Sequence, residues 1–395
     1  MAAKVIHAFR KTADSVAQGA KTLPQKYFVS PEVFEQEQDK IFARHWVLVG
    51  HNTEIARPGD YFVRDVLPSP NGYGKTGPGE SVIVVRDKDG EVRAFYNVCR
   101  HRGTRLCEEA TGHSSAIQCP YHAWTYGLDG RLIGAPHMDE VRGFDRNEYS
   151  LYPVKVDVWE GFVFVNLAGD AKPLAEWLAP LRGKFSSWNL AELRSAKRVE
   201  YDVQANWKLM FENYAECYHC PGVHPQLQKV SPYDSAENDL QEGPFLGGFM
   251  KINKGKSLTM SGEACAIPVA RADQEQDQEH EQEGKDRVFY YSIFPNMLLS
   301  LHPEYVMVHQ LWPQSPERTL IICDWLFHPD AFVRPDFNPV DAIEFWDVTN
   351  KQDWHVCELS QQGIASRAYQ PGPYSSRESI PAAWDREYLR VIGDQ

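Results

Sequence analysis

Residues 99–122 read CRHRGTRLCEEATGHSSAIQCPYH. Two short pairs frame this stretch: Cys99-x-His101 and, after 17 residues, Cys119-x-x-His122. Each pair offers one thiolate and one imidazole. A Rieske [2Fe-2S] centre places two cysteines on one iron and two histidines on the other, and two loops of this form supply that set. Zinc accepts the same ligand types, but its short motifs usually pair Cys with Cys and His with His. The alternation therefore points to an iron–sulfur cluster. Around the pairs lie short β-type runs at 61–66, 81–86 and 92–97 and a hairpin at 128–130, separated by turn residues. A helix over 31–44 leads into an apolar strand at 46–49, and runs at 154–157 and 161–166 close the segment. The expected product is a small all-β domain, with the Pro/Gly/Ser-rich piece 67–79 as an exposed loop.

A second constellation follows at 206–225, NWKLMFENYAECYHCPGVHP. The run is helix-compatible and is expected to stop at Pro221-Gly222. Glu216 and His219, three apart, would then share one helical face, and the break would let His224 swing back towards His219. Two such histidines make ordinary hydrogen bonds in many loops. With a carboxylate they form the open-sided ligand set of non-haem Fe(II) sites. A helical pattern over 339–362 offers Asp341, Glu344, Asp347, Asp353 and Glu358 as third ligands, and a charged helix face accounts for most of them. Between the two, alternation at 198–203 and runs at 288–292, 297–301, 305–312 and 319–328 predict an antiparallel sheet. The acid and amide run DQEQDQEHEQEG at 273–284 reads as a solvated loop, with a lid or docking element as the other reading.

The balance of 41 basic and 54 acidic residues, a formal charge of −13, argues against nucleic acid or an anionic membrane as partner. No apolar run approaches the length of a membrane span. The first 21 residues lack an apolar core and read as a mobile arm. The eight cysteines are expected to be thiols and metal ligands in a reducing compartment, which makes the cytoplasm the expected location. Cys217-x-x-Cys220 has no thioredoxin-like surroundings and is read as a pair of buried thiols. Arg100, Arg102 and Arg105 would either attract an acidic electron donor or pair with carboxylates of their own subunit.

With CRH at 99–101, CPYHAW at 119–124 and ENYAECYHCPGVH at 212–224, the chain resembles the catalytic α subunit of Rieske-type ring-hydroxylating oxygenases from about residue 27 onward. The resemblance implies an α+β fold: an N-terminal Rieske all-β domain and a helix-grip catalytic domain, an antiparallel sheet around a long helix. The corresponding segments are 1–45 (arm and helix of the catalytic domain), 46–165 (Rieske) and 166–395 (catalytic). Cys99, His101, Cys119 and His122 would hold the [2Fe-2S] cluster. His219, His224 and Asp353 would hold Fe(II), since NKQDWHVCELSQQG at 350–363 resembles the family's distal aspartate segment.

Most members carry aspartate where this chain has Glu216. By resemblance Glu216 would bridge the partner subunit's His122 to His219, which requires an oligomer, a head-to-tail homotrimer. Glutamate there is suggestive of members that oxidise carnitine, glycine betaine, stachydrine or choline. A trimethylammonium group is recognised by aromatic faces; Tyr214, Tyr218, Trp207 and Phe211 lie near the motif, although aromatics beside a helix are usually core. No dinucleotide fingerprint is present, so NAD(P)H would act through a separate reductase or ferredoxin. The expected activity is hydroxylation and N-demethylation of a small quaternary ammonium compound with O2. The alternatives are aromatic hydroxylation by the same irons, and a Rieske electron-transfer protein with no oxygenase activity.

Overall fold

The computed structural model describes residues 9–12, 19–68, 79–269 and 286–394. Most of the expected 67–79 loop, all of the 273–284 acidic run and most of the N-terminal arm lie outside the described residues. The chain divides into two compact units, Gln38–Ala179 and a discontinuous one made of Met1–Glu37 and Pro180–Gln395.

In Gln38–Ala179, seven antiparallel strands form one sheet in the order Val47–His51, Phe162–Asn166, Pro153–Trp159, Val92–Tyr96, Ser81–Arg86, Asp60–Asp65 and Thr111–His113. A three-stranded sheet (Ile117–Gln118, Thr125–Tyr126, Leu132–Gly134) completes the unit. Ile83, Val85 and Phe95 from the larger sheet pack with Trp124, Tyr126 and Leu128 in one apolar core. The unit is wider on both sides than the segment 46–165 read from the sequence. Its flanks are tied in by polar contacts that no hydrophobic period reveals: Trp46 Nε1 donates to Lys172 O at 2.9 Å and Asn166 Nδ2 to Arg44 O at 3.0 Å.

The other unit has an eight-stranded antiparallel sheet ordered Arg10–Lys11, Glu237–Leu240, Phe245–Lys251, Arg287–Ile293, Met297–Leu301, Val306–Ser315, Arg318–Phe327 and Arg194–Val203. Its central strands are buried on both faces, which explains their near-continuous apolar sequence. The long helix Pro339–Ile364 starts with proline in its first turn, where a missing N–H is harmless. It buries Ala342, Phe345, Trp346, Thr349, Asn350, Trp354, Cys357 and Gln361, the three-to-four spacing of one helical face. A further helix, Ser379–Ile392, follows it and buries Trp384 and Tyr388.

Glu37, at the end of the helix Pro31–Glu37, is fully buried. It accepts from Lys208 Nζ at 2.5 Å, Trp207 Nε1 at 2.8 Å and Tyr388 Oη at 2.6 Å. Burial lowers the Lys208 pKa, and the Glu37 carboxylate works against that. A residue far upstream thus anchors the helix Trp207–Tyr214 from below.

Candidate active site

The two cysteine–histidine loops are close structural repeats. Cys99 N donates to Thr104 O and Cys119 N to Trp124 O, both at 2.8 Å, and Gly103 N and Ala123 N return to the O of Cys99 and Cys119 at 3.0 and 3.1 Å. Each loop turns through a left-handed residue, Gly103 at φ 74° and Ala123 at φ 56°. For alanine that conformation is uncommon outside functional turns. The loops bring the His101 and His122 rings to 4.7 Å between centroids, with His101 stacked on Trp124 at an interplanar angle of 7°. Cys99 and Cys119 are buried free thiols within hydrogen-bonding reach of each other. Burial raises the Cys99 pKa, while the Tyr126 hydroxyl, 3.4 Å from Sγ, and the His101 N–H favour the thiolate. That hydroxyl already accepts from Arg100 N at 3.0 Å, leaving its own proton for the sulfur. His122 Nδ1 is buried without a hydrogen-bond partner among the described residues. Two paired thiols and two paired imidazoles, one with an orphaned nitrogen, fit a [2Fe-2S] cluster.

Of the three arginines, Arg105 pairs with Asp65 at 3.4 Å, Arg100 donates to Ser150 O at 2.5 Å and Arg102 donates to the Tyr121 hydroxyl at 3.4 Å. Their contacts are within their own unit.

The second constellation corrects the sequence reading in detail. Its helix, Trp207–Tyr214, is capped by Asn206, whose side chain accepts from Lys208 N, and ends at Tyr214, well before Pro221. Pro221 instead sits in the first turn of a short helix, Cys220–Val223, where proline is tolerated. Glu216 therefore lies beyond the helix. Its carboxylate folds back on its own turn, accepting from Tyr218 N and His219 N, and Oε1 meets His219 Nδ1 at 2.5 Å. A turn, not a helical face, makes the Glu216–His219 contact. The same turn brings Cys217 and Cys220 to a Cα separation of 5.0 Å, and they form a disulfide, a correction to the expected pair of thiols.

His219 Nε2 and His224 Nε2 converge at 3.2 Å, and Asp353 Oδ1 lies 3.3 and 2.8 Å from them. His224 Nδ1 meets Gln352 Oε1 at 2.8 Å, which fixes the ring with Nε2 inward. Three rival carboxylates are occupied elsewhere. Asp341 accepts from Ser261, Asp347 from Tyr201 and Lys351, and Glu358 from Gln204 N; Glu344 is exposed. Burial alone would lower the His219 pKa, but hydrogen bonds with Asp353 and Glu216 push it up to about 10. Asp353 is held below its ordinary value by His219 and His224 despite burial. The pocket thus favours positive charge among two imidazoles and a carboxylate, the donor set that suits Fe(II) with positions left open.

These residues form part of the wall of a cavity of about 370 Å³. Tyr214 and Tyr218 line it, Tyr214 with its hydroxyl 2.9 Å from Ser300 Oγ. Trp207 and Phe211 do not. Both are fully buried against Trp384, on the side of the helix that faces the core. The aromatic wall is completed by residues that sequence reasoning missed, Phe249, Tyr290, Trp346 and Trp354. Trp346 lies seven positions before Asp353, two helical turns along the same face, so helical periodicity carried that signal. Tyr290 comes from a strand distant in sequence and carried none.

A model of the Rieske [2Fe-2S] domain matches residues 45–145, and one of the ring hydroxylating alpha subunit (catalytic domain) matches residues 190–393. The glycine betaine monooxygenase oxygenase subunit of Chromohalobacter salexigens is 34% identical over 92% of this chain and 84% of its own length. The carnitine monooxygenase oxygenase subunit of Acinetobacter pittii is 30% identical over 89% of this chain and 87% of its own. Among solved structures, a quaternary ammonium Rieske monooxygenase with a reported link to carnitine oxidation superposes with TM-score 0.79 at 27% identity. That match covers 98% of this chain and 100% of that one.

Proposed function

We propose that this chain, which belongs to the Rieske ring-hydroxylating oxygenase family through both its [2Fe-2S] domain and its catalytic α-subunit domain, is the oxygenase component of a quaternary ammonium monooxygenase. The observation that carries the reading is one cavity wall that holds His219, His224 and Asp353 together with the aromatic residues Tyr214, Tyr290, Trp346 and Trp354. A trimethylammonium group offers no hydrogen bond, and aromatic faces attract it by cation–π interaction. The relatives named for glycine betaine and carnitine support the same substrate class. Among the described residues no helix is long and apolar enough to cross a membrane; we assign the protein to the cytoplasm.

Cys99, His101, Cys119 and His122 would hold the cluster and His219, His224 and Asp353 the mononuclear iron. When bound, these groups supply a one-electron store and an open-sided Fe(II) for dioxygen chemistry. The residues do the rest. Tyr126 and the His101 N–H stabilise charge on the Cys99 sulfur. Gln352 and Glu216 fix the two imidazoles through their outer nitrogens. The aromatic wall holds an N-methyl group towards the triad and excludes water. Overall, the methyl carbon gains a hydroxyl while one O2, two electrons and two protons give that hydroxyl and one water. The N-hydroxymethyl product then releases formaldehyde and a proton, leaving a tertiary amine. The electrons come from a separate reductase or ferredoxin.

Offered betaines and aromatic acids with a surrogate reductase, NADH and O2, the iron-loaded protein is expected to yield demethylated betaine and formaldehyde, read by mass spectrometry and formaldehyde assay. Hydroxylated aromatics with untouched betaines would overturn the proposal.

Glu216 is proposed to carry electrons from the partner subunit's His122 to His219 in a homotrimer. Replacing it with Gln keeps the size but removes the charge. Turnover is expected to fall about 100-fold, the scale of a misplaced catalytic contact, with iron content unchanged and re-oxidation of the reduced cluster by substrate and O2 slowed in parallel. A Glu216→Gln variant with wild-type cluster re-oxidation would remove Glu216 from the path.

A further inference from the structure

The cavity wall holds one arginine, Arg377, for which the aromatic cage has no use. It is half-buried, and its guanidinium carbon lies 5.0 Å from the centroid of the Tyr233 ring, another wall residue. Other arginines of this unit grip carboxylates: Arg198 holds Asp324 at 2.8 Å, Arg318 holds Asp202 at 2.7 Å and Arg390 holds Glu387 at 2.6 Å. Arg377 has no such ion pair among the described residues, although the exposed Asp234 shares the same wall. A guanidinium held by stacking, with its N–H fork unengaged by carboxylate, is poised for an anionic ligand.

Its placement says which end of the ligand that is. At the metal side the side chain of His224 is 1% and that of Asp353 16% exposed. Lys11 and Asp234, which share the wall with Arg377, are exposed. The helix Pro225–Val230 separates His224 from Tyr233 and, at ~1.5 Å per residue, carries the chain about 9 Å. Arg377, stacked on Tyr233, thus joins the wall through a segment of chain other than those that carry the triad.

Resting on the quaternary ammonium reading above, we infer that Arg377 takes a substrate carboxylate, so that the substrate is a zwitterion with trimethylammonium at the triad and an anion at Arg377. The cavity has a cationic end and a cation-accepting end, and a betaine matches both. An amino alcohol would leave Arg377 without a partner.

The test compares a trimethylammonium carboxylate of four-carbon chain with its methyl ester, which keeps the ammonium and loses the anion. Wild-type enzyme is expected to favour the acid by roughly 10- to 100-fold in kcat/KM, the range of a charged hydrogen bond. Arg377→Gln should erase the preference, with the loss falling on KM for the acid more than on kcat, and Arg377→Lys should restore part of it. Wild-type enzyme that treats acid and ester alike, or Arg377→Gln that still prefers the acid, overturns the inference; the first comparison needs no variant and so does not depend on one folding. If wild type demethylates neither compound, the substrate reading itself fails, and this inference with it.

Discussion

Asp353→Ala is expected to lower iron from about three to about two atoms per chain and to abolish turnover, while the visible spectrum of the [2Fe-2S] cluster persists. Among the described residues, Asp353 Oδ1 is the one carboxylate oxygen that lies within 3.3 Å of both inward histidine nitrogens. Removing it leaves two imidazoles for a hard divalent cation that prefers mixed nitrogen and oxygen donors. A lost metal forfeits several kcal/mol of transition-state stabilisation, a rate loss on the order of a thousandfold or more. Asp353→Asn keeps the shape and should lose most of the iron as well, because the charge is what the site uses. Full iron content and turnover in Asp353→Ala would mean that the third ligand lies elsewhere. The occupied state of Asp341, Asp347 and Glu358 would then have to break.

The second large effect is on stability. Glu37→Ala strands a fully buried Lys208 without its counter-ion, and breaking a buried pair from one side costs about 3–5 kcal/mol. For a unit of this size that is a fall in Tm of roughly 10 °C. Trp207 and Tyr388 lose an acceptor in the same change. Replacing both partners, Glu37→Met with Lys208→Met, removes the charge problem and should recover much of the loss. Calorimetry of the two variants checks this: equal melting temperatures for the single and double variants would show that the pair is not what the anchor depends on.

The readable part of this protein was the part where chemistry dictates residue type at short range. Cysteine and histidine within two or three positions of each other, twice, leave few uses, and the loops around them form as backbone repeats. His219 and His224 were visible for the same reason. The detail between them was not. Helix propensity runs on past Tyr214, and only the folded turn shows that Glu216 reaches His219 by bonding its own backbone amides. Trp207 and Phe211 were placed at the cavity because a helix pattern says which residues share a face, not which face meets the core. Tyr290 and Phe249 join the wall through strand pairing across long sequence separations, information that no local window holds. Asp353 was separated from its charged neighbours by resemblance; in the structure the neighbours identify themselves by their own partners.

The discontinuity of the larger unit has a consequence during synthesis. Gln38–Ala179 is complete as soon as it leaves the ribosome, and nothing downstream is needed for its sheets. Glu37 is made before it, yet its three partners, Trp207, Lys208 and Tyr388, come after, the last almost at the end of the chain. At ~5–20 residues per second the roughly 200 residues from Ala179 onward take on the order of 10–40 s to emerge. For that interval the nascent chain carries one finished unit and, on its amino-terminal side, an acid whose full set of partners is not yet made. Cluster insertion into the first unit has time to precede closure of the second, and a chain truncated before Tyr388 would leave that acid with Trp207 and Lys208 alone.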